Sequence, residues 1–586
     1  MNFNPFGRVC LIAAIGATLL FSASCVKVNE ELGGNLIPTE QKWDVFPQKA
    51  EPLKKIRLQM ADSLSGYSST RFTFGAVKDD ILGTTVKGTS FTLVPLADSL
   101  DFGTGYKVTG FHFTAVRDTL STVYDSQQKI IQNVYVSALK QPLDSTILYA
   151  GASMDKFLNT GERITDGIPV YDGGDSLSFD FSKKYAEDVI EGIRRFQAIE
   201  GAEGDSLNHY LKEVPGIYIT TETPAGLGGR INMFNIGLEY DSNYYISGNY
   251  AELKIRTNYG DRKDVDTSFV FFFGPGDLMK NIDENKEISQ FAFNASIHEY
   301  GAGAILDSEE FRKEGIPAGK SIYVEGGSGV KPVIKAAEIR EIIERQMDEA
   351  LIDPAIRQEV VINKATIILP YNVGGDYDAL EKFPDILSPT VKLKSSTGSY
   401  VTYAGLTDSS IETENQGDIN RSLNQYAPDI SHHVQEIMKV KKDENYEKNI
   451  AKYDIWFLVM HEEIQESSSS SSSMNDYYQN LMYNSYYNNM MYDPYGYGYG
   501  GYGGYGYGYG GYGYGGYGGY GYNNYYNYMM MAAYANSYNN SSSEKSSIEL
   551  DKDRYYRCTL NGPEYSDNPD ELPRLKITFS APKKEE

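Results

Sequence analysis

The chain has 586 residues, 41% hydrophobic and 23% charged. This is ordinary globular usage, which excludes wholesale disorder and collagen-like repeats, and the length predicts several domains. The formal net charge is −25 at pH 7, and because so acidic a surface repels phosphate backbones we expect no nucleic-acid partner.

The first 24 residues predict a signal peptide. Arg8 precedes the apolar run 9–21, which is too short to span a bilayer but suits the hydrophobic part of a signal. Three small residues then precede Cys25, in a pattern that resembles the cleavage site of bacterial lipoproteins, although Ser22 stands where Leu or Val is usual. The resemblance implies cleavage before Cys25 and lipidation of its side chain. The alternative is a plain secretory signal with an incidental cysteine.

Residues 25–47 are predicted to be a lipidated tether. Lys27, Glu30 and Glu31 follow soon after Cys25, and this stretch resembles the export signal that sends Bacteroidota lipoproteins to the outer face of the outer membrane. An ordinary charged tether is the alternative. We therefore expect attachment to the outer membrane through the N-terminal lipid, on the extracellular face.

Beyond the tether, the sequence predicts a mainly β protein built from several antiparallel β-sandwich-like domains with a few short helices. In Glu252–Thr257, apolar and charged residues alternate, which is typical of a sheet with one wet face. Similar alternation marks Arg71–Val77, Val108–Val116, Val134–Leu139, Ile217–Thr221, Ser268–Phe273 and Val360–Leu369.

Three helices are predicted by apolar stripes with helical spacing. Ser182 is the expected N-cap of the first helix, over Lys183–Ile199. The second covers Ala336–Leu351, and a short third helix follows Asp429. So few helices make a doubly wound nucleotide-binding sheet a poor fit.

The composition divides the mature chain into four parts. Residues 48–205 are predicted to be an N-terminal β domain with one helix, and residues 206–370 a central β domain with one helix. Residues 371–466 and 548–582 together are predicted to form a C-terminal β domain. Residues 467–547 are a low-complexity insert rich in Ser, Tyr, Gly and Asn.

The insert is predicted to be a disordered loop. It opens with seven serines, Ser467–Ser473, and holds nearly half of the 49 tyrosines but too little aliphatic content for a packed core. Nucleic-acid segments of this type interleave Arg or Lys with aromatics, and 474–540 contains neither. The expected flanking strands are Tyr453–Met460 and Arg574–Phe579. A sticky extracellular loop and a merely tolerated expansion both remain open.

Metal-binding motifs are weak. His461 is not followed by the second histidine of a zinc-protease motif. His432 and Glu436 lie four apart on a predicted helix and could share a metal, but two ligands do not make a site. The segment Asp172–Asp175 could touch calcium but is better interpreted as a turn. We predict no metal and no cofactor.

Catalytic motifs are also weak. Gly326–Val330 is not a nucleophile elbow because Val330 replaces the last glycine, and it is not a phosphate loop because Pro332 follows Lys331. It is predicted to be a glycine turn after the strand Ser321–Val324. A carboxylate pair for glycoside hydrolysis cannot be chosen among so many acids, so no catalytic residue is predicted.

Several segments together resemble a domain-of-unknown-function family of Bacteroidota surface lipoproteins. They are Leu32–Pro38, Ile81–Thr85, Ile322–Gly326 with Gly329, Val361–Ala365 and Tyr426–Ile437. The resemblance implies an all-β surface lipoprotein, and some members belong with the extracellular part of the outer-membrane barrel-assembly machinery. Glu325 stands where the family often has glutamine, and no catalytic residue is implied.

The predicted function is that of a non-catalytic accessory or scaffold subunit in outer-membrane protein or surface-lipoprotein assembly. An outer-membrane β-barrel and other surface lipoproteins are the expected partners. The main alternative is a glycan-binding or adhesive surface lipoprotein, supported by the tyrosine-rich insert. An enzyme, in the form of a hydrolase with an unmarked carboxylate pair, is the third class.

Overall fold

The structure is a computed structural model, and it describes residues 43–582 with gaps. The gaps are 69, 98–99, 122–126, 128–129, 144–148, 200–205, 241–245, 275–291, 301–305, 307, 358, 376, 395–400, 409–416 and 467–543. The predicted signal peptide and the residues Cys25, Lys27, Glu30 and Glu31 therefore lie outside the described residues, and so does the insert up to residue 543.

The strands account for most of the regular structure. In chain order they are β1 (Trp43–Pro52), β2 (Arg57–Met60), β3 (Tyr67–Ser68), β4 (Arg71–Asp79), β5 (Gly83–Pro95), β6 (Thr104–Val116), β7 (Gln132–Asn133), β8 (Tyr135–Leu139), β9 (Leu158–Arg163), β10 (Val170–Tyr171), β11 (Ser176–Asp180), β12 (Ile217–Thr220), β13 (Gly228–Asn235), β14 (Leu238–Tyr240), β15 (Ile246–Gly248), β16 (Tyr250–Tyr259), β17 (Arg262–Gly274), β18 (Ala292–Glu299), β19 (Ile316–Pro317), β20 (Ser321–Glu325), β21 (Val330–Ile334), β22 (Val361–Pro370), β23 (Ile386–Lys394), β24 (Val401–Gly405), β25 (Ile419–Asn420), β26 (Gln425–Tyr426), β27 (Ile455–Glu466), β28 (Glu544–Leu550), β29 (Arg557–Asn561) and β30 (Arg574–Pro582).

The helices in the described parts of the chain are short. They are α1 (Lys183–Gln197), α2 (Ser206–Glu213), α3 (Glu309–Glu314), α4 (Ala336–Glu349), α5 (Ser431–Lys439) and α6 (Tyr446–Ile450), with 3-10 turns at Pro354–Ile356, Tyr377–Lys382, Ala451–Tyr453 and Pro569–Glu571. No helix within these residues is long and apolar enough to cross a membrane.

The predicted fold class is confirmed, because the described chain is mainly β with several antiparallel sheets. The central path of a 12-stranded sheet runs β11-β6-β16-β17-β5-β12-β8-β9, with β3, β4, β13 and β18 attached. A 7-stranded sheet has the order β19-β2-β21-β27-β23-β24, with β28 paired to β27, and a 5-stranded sheet has the order β1-β30-β22-β26-β25. The pairs β7 with β10, β14 with β15 and β20 with β29 form small ribbons.

The 12-stranded sheet surrounds a first core rich in phenylalanine. The Phe113 ring stacks on Phe179 and Phe273 at centroid distances of 4.5 and 4.9 Å. Helix α1 covers this core with the predicted stripe, and the Ser182 side chain accepts a hydrogen bond from the Tyr185 N–H as the predicted N-cap. These aromatic contacts explain why alternating Phe-rich strands close around one interior.

The second core lies between the 5-stranded and 7-stranded sheets and the helices α4 and α5. Ile342, Val434, Phe457 and Ile577 are all fully buried there or nearly so. Leu53, Ile56 and Leu58 also belong to this core, so the described chain begins in the second core, builds the first, and returns. The 12-stranded sheet contains strands from both sides of residue 205, the predicted end of the N-terminal β domain. The division into domains stays a prediction.

The insert is bracketed by a hairpin. Strands β27 and β28 pair from Met460 opposite Leu550 to Glu466 opposite Glu544, so the residues before and after 467–543 are hydrogen-bonded neighbours. The expectation that Arg574–Phe579 is the strand directly flanking the insert is wrong. That segment belongs to β30, which pairs with β1 and β22 in another sheet. The sequence of β28, EKSSIEL, is too polar to show a strand alternation.

We expect that replacing 467–543 with a short Gly/Ser linker leaves the protein folded. The two ends already face one another across β27 and β28, and loop-closure entropy changes by only about 0.6 kcal/mol per halving of loop length. The melting temperature checks this, with a variant that also lacks β28 as the control that should be destabilised. A fall of many degrees in the linker variant alone would show that the insert packs on the sheets.

Candidate functional site

A cluster of buried polar and charged side chains lies where the 12-stranded sheet meets the second core. We call it the ionic junction. Its members are Thr85 and Lys87 on β5, Ser296 and His298 on β18, Glu325 at the end of β20, Ser328 in the following turn, Lys331 on β21, and Asp551 and Asp553 between β28 and β29.

Strand register explains how the junction assembles. On the neighbouring strands β5 and β18, Thr85 lies opposite His298 and Lys87 lies opposite Ser296. Because side chains two residues apart share a face, these four polar groups point the same way, away from the face that carries Phe293. The β20–β21 region brings Glu325 and Lys331 to the junction, and the connection between β28 and β29 brings Asp551 and Asp553.

Glu325 is the centre of the junction, and it has no exposed surface. Its Oε1 accepts hydrogen bonds from the Thr85 hydroxyl at 2.5 Å and from His298 Nδ1 at 3.0 Å. Burial alone would raise the pKa of Glu325, but His298, Thr85 and the Lys331 ammonium together hold that pKa below its usual value. The carboxylate is therefore ionised at neutral pH, and Nδ1 of His298 carries the proton that faces it.

Two buried lysines of the junction donate hydrogen bonds to backbone carbonyls. Lys331 Nζ donates to the carbonyl oxygens of Gly327 at 2.9 Å, Gly329 at 3.3 Å, and Glu325. Burial lowers the pKa of Lys331 to about 7, against the opposing charge of Glu325. Lys87 Nζ donates to the carbonyls of the 552–553 segment at 3.1 and 2.5 Å, and burial lowers its pKa as well.

The glycine turn is required by close approach to these charges. A Cβ atom at Gly329 would lie 2.4 Å from Glu325 Oε2, and one at Gly326 would lie 2.5 Å from the Arg554 carbonyl oxygen. A side chain at Gly329 would displace the Glu325 side chain, and one at Gly326 would require the backbone to move. The turn predicted from the sequence is present, and its function is to let the backbone wrap the buried carboxylate.

Neighbouring hydrogen bonds tie the segment 551–556 to both cores. Asn294 Nδ2 donates to Asp553 Oδ1 at 3.1 Å, while its Oδ1 accepts from the Thr73 N–H at 3.0 Å. Asp551 accepts from Arg554 Nε at 2.5 Å and from the Tyr556 hydroxyl at 2.7 Å. The junction thus contains neighbouring hydrogen-bonded groups, one around Glu325 and one around the 551–556 segment.

One chain of contacts within the junction has the connectivity of a catalytic triad. Ser328 Oγ lies 3.1 Å from His298 Nε2, and His298 Nδ1 lies 3.0 Å from Glu325. However, Ser328 is only 2% exposed, and the side chains of His298 and Glu325 are 3% and 0% exposed. The hydroxyl therefore faces protein atoms, and in this conformation the relay connects two sheets rather than meeting a substrate.

A small polar crevice adjoins the relay. Its lining includes Lys87, Asn294, Ser296 and Asp553, and its cavity volume is about 10 Å³. Ligand pockets usually enclose about 300–1,000 Å³. The crevice suits a bound water better than an organic substrate.

The two predicted surface motifs do not join this site. His432 Nε2 lies 4.0 Å from Glu436 Oε1, which also accepts from Lys439 Nζ at 2.6 Å, so the pair is part of an ordinary helix ion-pair group. Across the described ranges, no group of three or more His, Cys, Asp or Glu side chains is placed to hold a metal ion.

The acidic turn Asp172–Asp175 lies beside two guanidinium groups. Asp172 Oδ1 accepts the Gly174 N–H at 3.0 Å, and Arg117 Nη2 contacts Asp175 Oδ1 at 3.2 Å. A Cβ at Gly173 would lie 2.7 Å from Arg230 Nη1. These positive charges would repel a calcium ion at this turn. The geometry therefore favours the interpretation of the segment as a plain turn.

Sequence reasoning missed most of the junction. His298 lies in no motif, Thr85 is only the last residue of the resemblance segment Ile81–Thr85, and Lys87 is the one charged residue within β5, Gly83–Pro95. The sequence signal that could have found the junction was Lys87 itself. It is an isolated charge in a strand of small, hydroxyl and apolar residues, and a charge there must find a buried partner. The partners lie more than 200 residues away in the sequence, which a local pattern does not reveal.

Comparisons of the whole chain with protein-family models, with curated proteins and with solved structures find no match. The family resemblance drawn from the sequence stays a prediction.

We expect Glu325→Ala to lower the free energy of unfolding by about 3–5 kcal/mol, because it leaves buried charges without their partner. Glu325→Gln keeps an acceptor for Thr85 and His298, so it should cost less. Denaturant unfolding measures both, with Asp266→Ala as the control, since Asp266 pairs with Arg256 on an exposed surface. Equal effects of Glu325→Ala and the control would contradict the structural role of the junction.

The pKa of Lys331 predicts that stability rises with pH above neutrality. Its folded pKa of about 7 lies below the unfolded value of about 10.4, so between these values the unfolded state binds more protons and the free energy of unfolding increases with pH. The slope contributed by one such group is at most about 1.4 kcal/mol per pH unit.

Denaturant unfolding at several pH values between 7 and 9.5 measures this slope. Lys331→Met should flatten the dependence while lowering stability, because the carbonyls of Gly327 and Gly329 lose their donor. An unchanged slope in Lys331→Met would assign the pH dependence to other groups.

Proposed function

We propose that the protein is a non-catalytic, surface-exposed outer-membrane lipoprotein that acts as an accessory or scaffold subunit in the assembly of outer-membrane proteins or surface lipoproteins. The observation that carries the proposal is the ionic junction, which ties the first and second cores together through fully buried charges. A scaffold must hold its binding surfaces in a fixed relation, and a buried network with directional hydrogen bonds favours one arrangement.

Sheet edges offer surfaces on which partner proteins can bind. Strand β24 ends the 7-stranded sheet, and β25 ends the 5-stranded sheet. Edge strands bind other chains through backbone hydrogen bonds without fixed side-chain chemistry. Weak contacts at several such edges add up when the subunit is held in place, because each further contact becomes intramolecular.

The predicted anchor supplies that placement. Lipidation at Cys25 would hold the chain at the membrane, and Lys27, Glu30 and Glu31 are the residues proposed to direct it to the outer face. Two acyl chains on a lipoprotein are enough for stable attachment to the membrane without a spanning helix. An outer-membrane β-barrel and other surface lipoproteins are the proposed partners.

A glycan-binding or adhesive lipoprotein is the second candidate. It is favoured by the tyrosine-rich sequence between residues 474 and 540, because tyrosine rings offer apolar faces with a polar tip to a partner surface. In this alternative the folded sheets would display the insert rather than bind assembly partners themselves.

We expect Cys25→Ala to abolish lipidation, so that the protein stays uncleaved or becomes soluble. Incorporation of labelled fatty acid checks this, and equal labelling of the variant would contradict the predicted anchor. As a comparison, Glu30→Ala with Glu31→Ala should keep the lipid but reduce cleavage by protease added to intact cells. If the unaltered protein is cut only after the outer membrane is broken, the extracellular placement is wrong.

The assembly role predicts that the protein purifies in mild detergent within a complex far larger than its own 65.4 kDa precursor, together with an outer-membrane barrel. Depletion should lower the surface levels of several unrelated outer-membrane proteins or lipoproteins, measured by surface proteomics. A monomer in detergent with an unchanged surface proteome would favour the adhesive alternative.

A further inference from the structure

The outer face of the 5-stranded sheet carries exposed apolar side chains next to its β1 edge. Trp43, Val45 and Val361 are 45%, 64% and 47% exposed. Large apolar side chains exposed together on one sheet face are unusual in a soluble surface and mark a contact region. We call these three residues, with the half-buried Pro582, the apolar edge face.

Strand register places these residues on one face, with the buried Ser580 between Val45 and Val361. Val45 and Val361 both lie opposite Ser580 on the intervening strand β30, and Trp43 lies opposite Pro582. Neighbouring strands are about 4.8 Å apart, so Val45 and Val361 lie about 10 Å apart on the same face.

The adjacent row of residues points the other way. Phe46 and Ile362 both lie opposite Phe579, and the Phe46 and Phe579 rings stack at 4.9 Å as part of the second core. Alternation along each strand therefore directs the core row inward and the apolar edge face outward. Among the described residues, no strand covers the outer side of β1.

The position of this face in the chain indicates what covers it. Trp43 lies only 18 residues after Cys25, and a chain of that length reaches at most about 60 Å when extended. The segment that leads from the predicted lipid therefore enters the fold directly at the apolar edge face. Tryptophan prefers the interface between water and hydrocarbon, and aliphatic side chains gain from burial there.

We propose that the apolar edge face rests on the membrane surface that holds the acyl chains of Cys25. This inference deepens the proposed function and rests on its lipid anchor. The anchor keeps the face at a high local concentration beside the bilayer, so that a contact too weak to bind a free protein becomes occupied. The contact orients the sheets, with β1 toward the lipid.

The net charge of the chain predicts the lipid preference. At −25 the protein is repelled by anionic headgroups, so the contact should be stronger on phosphatidylcholine vesicles than on vesicles containing phosphatidylglycerol. Added salt should reduce the difference between the two, because it screens the repulsion.

Tryptophan fluorescence tests the contact, since the chain has only two tryptophans and Trp456 is 6% exposed. Full-length protein would be reconstituted in phosphatidylcholine vesicles with and without brominated acyl chains. We expect blue-shifted emission that the bromines quench, and loss of the quenchable part in Trp43→Phe, which keeps only Trp456.

Two further variants separate this face from exposed apolar residues in general. Val45→Asp together with Val361→Asp should reduce the quenching of Trp43. The matched control is Val170→Asp, since Val170 is 58% exposed on the separate ribbon of β7 and β10, and it should leave the quenching unchanged. Equal reduction by both changes would overturn the proposal.

Mass spectrometry of Cys25 and vesicle flotation keep the two proposals distinguishable. If Cys25 is acylated and the protein floats while Trp43 stays unquenched, the membrane contact is overturned and the anchor stands. If Cys25 carries no lipid, the anchor fails, and the membrane contact, which depends on it, is overturned with it. A shift caused only by an added barrel protein would assign the face to a protein partner and overturn the proposal.

Discussion

Removing the Glu325 carboxylate from water costs several kcal/mol unless other groups replace its hydration. In this protein the replacements come from Thr85, His298 and Lys331, which belong to three different strands. The 12-stranded sheet must therefore meet the β20–β21 turn in one register, or the charge is left without its partners. The arrangement of the two cores depends on this requirement, because apolar contacts alone would tolerate some sliding.

The same requirement explains local features that otherwise look unrelated. Gly329 has no side chain because the Glu325 carboxylate occupies the space. Lys87 interrupts an otherwise uncharged strand because its ammonium group binds carbonyls of the 552–553 segment. That segment follows the hairpin that brackets the insert, so the chain returns from the insert directly into the junction.

Much of the fold could be predicted from the sequence, because local patterns determine it. The alternation in 252–257 gives the correct buried face of β16, with Leu253 and Ile255 inside, and Ser182 caps α1 as expected. The junction could not be predicted in this way. Its residues lie on strands hundreds of positions apart, and a charged residue in a sequence normally indicates a solvated face. The polar strand β28 could not be predicted either. Its sequence has no alternation, and its strand conformation depends on pairing with β27.

The junction gives a physical meaning to a scaffold role. A subunit that positions partners must keep its surfaces in register, and satisfied buried polar groups rigidify a core and favour one arrangement. The edges of the sheets and the apolar edge face then stand at fixed positions relative to one another.

Differential scanning calorimetry of the intact protein tests the central claim most directly. If the ionic junction couples the two cores, the sheets unfold in one cooperative transition whose calorimetric and van't Hoff enthalpies agree. Two separate transitions, with hydrogen exchange showing that residues 72–273 open independently of the second core, would contradict the account.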